Sequence, residues 1–147
     1  RGYNIESLNV APTDDENLSR VTLVVRGSNE AIEQLNSQLS KLIDVVGIND
    51  MTQGDHFERE LLILKIKINS EYKQEINHLI TEFNAVILDD SIESYTIQLT
   101  GKIEEIDGFV SKISTLGTFQ AVARSGSVSV SKGKIILSSY ANKNLSN

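Results

Sequence analysis

The chain has 147 residues, of which 39% are hydrophobic and 23% charged, with a net charge of -6 and no cysteine. This length suffices for two small modules, and the composition is typical of globular domains. The acidic balance excludes a general nucleic-acid binder, because Lys and Arg supply most of the affinity for phosphate. The lack of cysteine excludes disulfides and thiolate metal sites, and it favours a reducing compartment.

The first fifty residues predict two strands, a helix and a short third strand. Residues 4–10 and 18–26 alternate as strands do, and Asp14, Asp15 and Glu16 lie in the connection between them. Ser28 or Asn29 is the expected N-cap of the helix. Its apolar stripe has helical spacing and consists of Ile32, Leu35, Leu39 and Leu42. Residues 45–51 are expected to form the third strand.

The second half predicts the order strand, helix, strand, strand, helix, strand. The strands are expected near residues 59–68, 85–89, 95–100 and 119–124. Ser70 is the expected N-cap of the first helix, and Gly117 is expected to close the second helix in the left-handed conformation. The two apolar stripes are Ile76, Leu79, Ile80 and Phe83, then Ile103, Ile106, Phe109, Val110 and Ile113.

This order is the split βαββαβ unit of the ferredoxin-like fold. The first half has the same unit without its opening strand and helix, so the sequence predicts an α+β protein with two tandem ferredoxin-like modules. Thr52 to Glu58 interrupts the apolar pattern and is the predicted linker. The expected divisions are therefore residues 1–53, residues 58–137 and a polar tail at 138–147.

No set of residues in the sequence forms a catalytic or metal-ligating pattern. His56 and His78 stand without cysteines or carboxylates at ligand spacing, so each is interpreted as a solvated or core histidine. Neighbouring acidic residues such as Glu104 and Glu105 diverge on a helix instead of converging on a substrate. Arg59 and Arg124 flank predicted core strands and are interpreted as structural or interface charges. An enzyme is the weakest hypothesis.

Several segments occur together in one order: RGYNIESLNVAPT, LSRVTLVV, QLSKLIDVV, ERELLILKI, YTIQLTG and VARSG. This set resembles the small subunit of acetolactate synthase (acetohydroxyacid synthase), and the resemblance spans residues 1 to about 137. Members of that family carry an N-terminal ACT domain, a ferredoxin-like amino-acid sensor, followed by an ACT-like domain. The resemblance thus implies the same fold that the predicted elements indicate.

The resemblance also implies a function. The chain is expected to be a non-catalytic regulatory subunit that binds the large, thiamine-diphosphate-dependent catalytic subunit and raises its activity. It would make the enzyme sensitive to feedback by valine or a related branched-chain amino acid, and thiamine diphosphate would belong to the partner. The alternative is a free-standing ACT-type sensor that controls a different enzyme or transporter. A ferredoxin-like RNA binder would need aromatic residues on its central strands, and only 5% of this chain is aromatic.

The resemblance places part of an effector site at Asn4 and Ile5. The Asn4 amide offers a donor and an acceptor to a zwitterion, and Ile5 could line an aliphatic pocket. The other part of the family site, in a first strand and a Gly-containing turn, has no counterpart in these residues. The native chain is therefore expected to extend upstream of Arg1 by roughly 25 residues, or else a partner chain is expected to fill the gap. The chain as given is expected to bind valine weakly if at all.

Leu61 and Ile63 extend the apolar surface of one strand onto the face that helix packing does not need. Exposed apolar patches usually mark contacts, so we expect a homodimer that forms through this sheet. Neither membrane nor nucleic acid is an expected partner. The expected location is the bacterial cytoplasm or the plastid stroma.

Overall fold

A computed structural model describes residues 2–51 and 55–133. Its elements are β1 (Tyr3–Pro12), β2 (Ser19–Gly27), α1 (Asn29–Ser40), β3 (His56–Ile68), α2 (Lys73–Glu82), β4 (Val86–Asp90), β5 (Ser94–Gly101), α3 (Ile103–Ile113) and β6 (Gly117–Ser131). The described residues up to Phe57 and from Ser129 onward form one compact unit, and Glu58–Val128 forms the other. The middle of the predicted linker, residues 52–54, and the predicted tail lie outside the described residues. Within those residues, no helix is both long and apolar enough to cross a membrane.

The first unit contains an antiparallel hairpin of β1 and β2, followed by α1. Leu8 lies opposite Leu23, and Val10 lies opposite Val21, so these four side chains share one face of the hairpin. Leu8, Val10 and Val21 are nevertheless more than half exposed, because a two-stranded sheet with one helix covers little apolar surface. Among the described residues of this unit, Ala31 is the only buried apolar residue.

The start of α1 confirms the predicted cap, since the Ser28 Oγ accepts a hydrogen bond from the Ala31 amide at 3.1 Å. The helix ends at Ser40, so Leu42 lies beyond it and is 54% exposed instead of continuing the stripe. The strand predicted at residues 45–51 is wrong, because residues 45–50 have no regular structure. Apolar alternation alone does not make a strand where the described sheet gives it no neighbour.

The second unit has the predicted order of a ferredoxin-like module. Its sheet has the strand order β4-β5-β3-β6, and β5 is antiparallel to both β3 and β4. Both helices cover one face, where the core forms from alternate strand residues and the helix stripes. The buried core consists of Leu62, Leu64, Ile66, Ile76, Ile80, Tyr95, Ile97, Leu99, Ile106, Phe109 and Ile113. Phe83 contacts Phe109 edge to face, with ring centroids 5.3 Å apart.

Two local predictions for this unit are wrong. Ser70 opens a 3-10 turn, Ser70–Tyr72, and α2 begins only at Lys73, so Ser70 is not the α-helix cap. Gly117 is not the left-handed closure of α3, which ends through Ser114 in a right-handed conformation. Gly117 instead begins β6, where a Cβ would collide with the Lys67 carbonyl oxygen and lie 2.9 Å from the Ile66 side chain. A close approach of two strands explains this glycine.

Candidate functional site

Asn4 and Ile5, the residues predicted to contact an effector, lie near the start of β1. Asn4 is opposite Arg26 and Ile5 is opposite Val25 in the hairpin register. Successive strand residues point to opposite faces, so the two side chains do not converge on one face. In the described residues β2 is the one strand paired with β1, so the outer backbone edge beside Ile5 has no strand partner among them. A ligand at that edge can contact one side chain and the backbone of the next residue.

A charged pair that the sequence analysis missed lies beside Asn4. The Arg26 Nη2 is 2.7 Å from the Glu6 Oε1, and the two side chains are 80% and 40% exposed. Glu6 has this position because the register shifts between Ile5 and Ser7, a β-bulge that leaves one extra residue on β1. Exposed ion pairs are worth at most about 1 kcal/mol, so either group can exchange its partner for a charged ligand at small cost. Only the cross-strand register reveals this pair.

A second set of polar residues links two of the sequence segments singled out above. Arg124, from VARSG, donates to both carboxylate oxygens of Glu60, from ERELL, at 2.6 and 3.1 Å. It also donates to the Asp107 Oδ1 at 2.7 Å. Glu60 is only 4% exposed, so its carboxylate has lost most of its hydration. The positive charge and hydrogen bonds of Arg124 offset the cost of burying that negative charge. The segments therefore meet through a structural ion pair.

The hydrogen bond to Glu60 raises the pKa of the Arg124 guanidinium above its ordinary value. The hydrogen bond to Asp107 acts in the same direction, and desolvation opposes both. A pKa that is higher in the folded than in the unfolded state stabilises the folded state at every pH below the unfolded-state pKa. This stabilisation is lost only when the pH rises above that pKa. Because arginine is protonated across the physiological range even in an unfolded chain, and folding raises its pKa further, Arg124 stays charged throughout that range.

The two residues after Arg124 complete the contact between these segments. The Ser125 Oγ accepts a hydrogen bond from the Leu61 amide at 2.9 Å. Gly126 has a φ of 78°, a left-handed conformation that residues with a Cβ rarely adopt. The contact of β6 with β3 thus explains Arg124 and Ser125, and the left-handed backbone explains Gly126. Arg59, in contrast, is exposed and donates to the neighbouring Glu58 carbonyl oxygen.

Two open depressions of about 420 and 470 Å³ lie along α2, and both are lined by Gln74 and His78. Neither includes Asn4 or Ile5. Across residues 2–51 and 55–133, no group of three or more His, Asp or Glu side chains could hold a metal ion.

Both units match known protein families. Residues 59–133 match the family described as the small subunit of acetolactate synthase, and residues 1–47 match the ACT domain of acetohydroxyacid-synthase small-subunit-like proteins. A 137-residue stretch is 40% identical to the acetolactate synthase isozyme 3 small subunit of Salmonella typhimurium, covering 93% of this chain and 84% of that protein. The chain belongs to the acetolactate synthase small-subunit family.

Other relatives of this small-subunit chain come from distant organisms. The chloroplastic acetolactate synthase small subunit 2 of Arabidopsis thaliana is 34% identical over 140 residues, which are 95% of this chain and 29% of the plant protein. The crystal structure of the acetolactate synthase small subunit from Thermotoga maritima superposes with a TM-score of 0.76 at 30% identity. That match covers 91% of this chain and 83% of the solved one, and it confirms the two ferredoxin-like modules.

Proposed function

We propose that this chain is the non-catalytic regulatory subunit of an acetolactate synthase. It binds the large, thiamine-diphosphate-dependent catalytic subunit and raises the activity of that subunit. The observation that carries the proposal is the match of both units, in order, to the two domains of the family. The cofactor and the reacting groups belong to the partner, and the two proteins share a compartment, the bacterial cytoplasm or the plastid stroma.

We assign separate roles to the two parts of the chain. Residues 1–53 are the ACT sensor, residues 58–137 are the ACT-like domain, and residues 138–147 are a tail. Valine or a related branched-chain amino acid binds at the start of β1. Asn4 offers its amide to the ligand's charged groups, and Ile5 offers aliphatic surface and an open backbone edge. The chain also acts as a homodimer.

Co-expression of the chain with an acetolactate synthase catalytic subunit tests the proposed assembly. The two proteins are expected to co-purify, and acetolactate formation is expected to exceed that of the catalytic subunit alone. The isolated chain is expected to form no acetolactate. Failure to co-purify, together with valine binding by the isolated chain, would favour the free-standing sensor. Acetolactate formation by the isolated chain would contradict the assignment outright.

Valine inhibition of the assembled enzyme tests the effector site. Asn4→Ala removes a side-chain hydrogen bond to a charged ligand, so the valine concentration for half inhibition should rise about tenfold. Activation without valine should not change. Asn17→Ala is the matched control, because Asn17 lies at the other end of the hairpin, in the β1–β2 turn. Equal sensitivity of the Asn4→Ala and control enzymes would remove Asn4 from the site.

A further inference from the structure

The end of strand β6 belongs to the first unit. The strand runs from Gly117 to Ser131, yet the second unit ends at Val128, so residues 129–131 lie in the first unit. Earlier in the same strand, Arg124 and Ser125 are bonded to residues of β3 in the second unit. One uninterrupted strand therefore has bonded residues in both units.

Arg20 connects the β1–β2 hairpin to this strand end. Its Nη2 donates a hydrogen bond to the Ser129 carbonyl oxygen at 2.9 Å, across 109 positions of sequence. Arg20 lies opposite Ala11, near the turn that joins the two strands. A charged donor makes a stronger bond than a neutral one, and this bond is partly shielded from water. The hairpin is therefore bonded to β6 at the end away from Asn4 and Ile5.

A small network connects the same strand end to the segment after α1. The Asn49 Nδ2 donates to the Ser131 Oγ, and the Ser131 hydroxyl donates to the Met51 Sδ at 3.3 Å. The Lys132 amide also donates to the Asp55 carbonyl oxygen at 3.0 Å. Residues 45–50 have no regular structure, so these bonds constrain a segment that no helix or strand orders.

The first unit depends on such contacts more than the second does. Among its described residues, Ala31 is the only buried apolar residue, whereas the second unit has a continuous apolar core. Apolar burial is the main favourable contribution to folding, and regions with few buried apolar contacts open locally at low free-energy cost. Polar bonds to the end of β6 therefore contribute a larger share of the stability of the first unit.

We infer that residues 129–132 form a strap that keeps the first unit closed against local opening, and that the effector signal leaves this unit through β6. The second half of the inference rests on the function proposed above. A ligand that binds the closed unit also stabilises the bonds that close it, including those to the strap. Because β6 is bonded to Glu60 and Leu61 earlier in its length, a change at the strap reaches the second unit through one backbone.

Amide hydrogen exchange of the isolated chain tests the strap without valine or the catalytic subunit. Arg20→Met keeps an aliphatic side chain and removes the charged donor, so exchange in pepsin fragments of β1 and β2 should rise about tenfold. Arg26→Met is the matched control on the same strand, because the Arg26 side chain is 80% exposed and pairs with Glu6 in solvent. Exchange in this control should stay within about twofold of the parent.

Two serines of β6 provide a second matched pair. Ser131→Ala removes the hydroxyl that connects Asn49 and Met51, so exchange in the fragment that joins α1 to Met51 should rise about threefold. Ser129 accepts the Arg20 bond through its backbone carbonyl, which alanine retains. Ser129→Ala should therefore stay within about twofold of the parent.

Activity of the assembled enzyme tests whether the strap carries the effector signal. Arg20→Met and Ser131→Ala should lower the inhibition reached at saturating valine to less than about half of the parent value. The valine concentration for half inhibition should stay within about threefold of the parent, since Asn4 and Ile5 are unchanged. Asn4→Ala should show the opposite split, with a higher concentration for half inhibition and full inhibition at saturation. Ser129→Ala should behave as the parent does.

Different results would overturn the two halves of the inference. Equal exchange in Arg20→Met and Arg26→Met, or in the two serine variants, would show that the end of β6 does not close the first unit. Faster exchange with unchanged maximal inhibition would show that the signal takes another route. A parent enzyme that valine does not inhibit would contradict the proposed effector response, while the exchange comparison would still decide the strap. Unchanged exchange in β3 and β5 must show that each variant retains its fold.

Discussion

Arg124 and Glu60 form a two-point ion pair between residues 64 positions apart in the chain. The nearly buried carboxylate lies on β3, and the guanidinium reaches it from the edge strand β6. A planar guanidinium matches a carboxylate in one orientation only, so the pair fixes the position of β6 along β3. Asp107 contacts the same guanidinium from α3, which joins one helix to the two strands.

Removal of the arginine should destabilise the second unit. Arg124→Met leaves the Glu60 carboxylate buried without its partner, and we expect a loss of about 2 kcal/mol in the free energy of unfolding. Glu60→Gln retains a hydrogen-bonding side chain and should cost about 1 kcal/mol. Denaturant titration of both single variants and the double variant gives the coupling energy between the residues.

An exposed ion pair provides the control for this measurement. Lys112 and Glu82 are 3.4 Å apart, and each side chain is 54% exposed. Lys112→Met should therefore change stability by no more than about 0.5 kcal/mol. If Lys112→Met and Arg124→Met lower the free energy of unfolding equally, burial of Glu60 does not determine how much the Arg124–Glu60 pair stabilises the protein.

Two glycines of the second unit should respond to alanine in opposite ways. Gly117→Ala directs a methyl group against the Lys67 carbonyl oxygen, so the strands must move apart, and we expect a loss of about 2 kcal/mol. Gly108 lies inside α3, where an added Cβ would have no atom within 4 Å, so Gly108→Ala should stabilise by about 0.5–1 kcal/mol. Thermal midpoints should thus move in opposite directions. Movement in the same direction would disprove this explanation of Gly117.

Replacement of an apolar residue on the sheet face away from the helices should weaken the proposed homodimer. Ile63→Lys sets a charge beside Leu61 on the exposed side of β3, and sedimentation should show a lower dimer fraction at equal concentration. Ile92→Lys is the matched control, because Ile92 is 98% exposed between β4 and β5. If the two variants associate equally well, the β3 face is not part of the interface.

The two units should differ in amide hydrogen exchange. Strands β3 and β5 belong to a buried core, whereas β1, β2 and α1 enclose one buried apolar residue among those described. Exchange in β1 and β2 should therefore proceed through local opening, at least about 100 times faster than in β3 and β5. Mass spectrometry of pepsin fragments measures this difference. Equal protection would mean that the first unit has a source of stability besides these contacts.

Much of the fold could be predicted from residue periodicity. Alternation in residues 59–68 and the stripes of α2 and α3 identified the buried residues of the second unit, because one face of each element must avoid water. The hairpin and the Ser28 cap followed from local chemistry in the same way. The segments that resemble the acetolactate synthase small subunit could also be recognised from the sequence. The matches to the family models confirmed that assignment.

Only the tertiary structure decided what depends on neighbours distant in the chain. The apolar alternation at residues 45–50 did not become a strand, and Gly117 is explained by a backbone that approaches from β3. The Arg124–Glu60 pair and the bulge that brings Glu6 to Arg26 both arise from strand register. Register is set by which strands pair and by their bulges, and a one-residue shift reverses every side chain. The sequence by itself determined which faces are apolar, and the pairing of the strands decided which side chains meet.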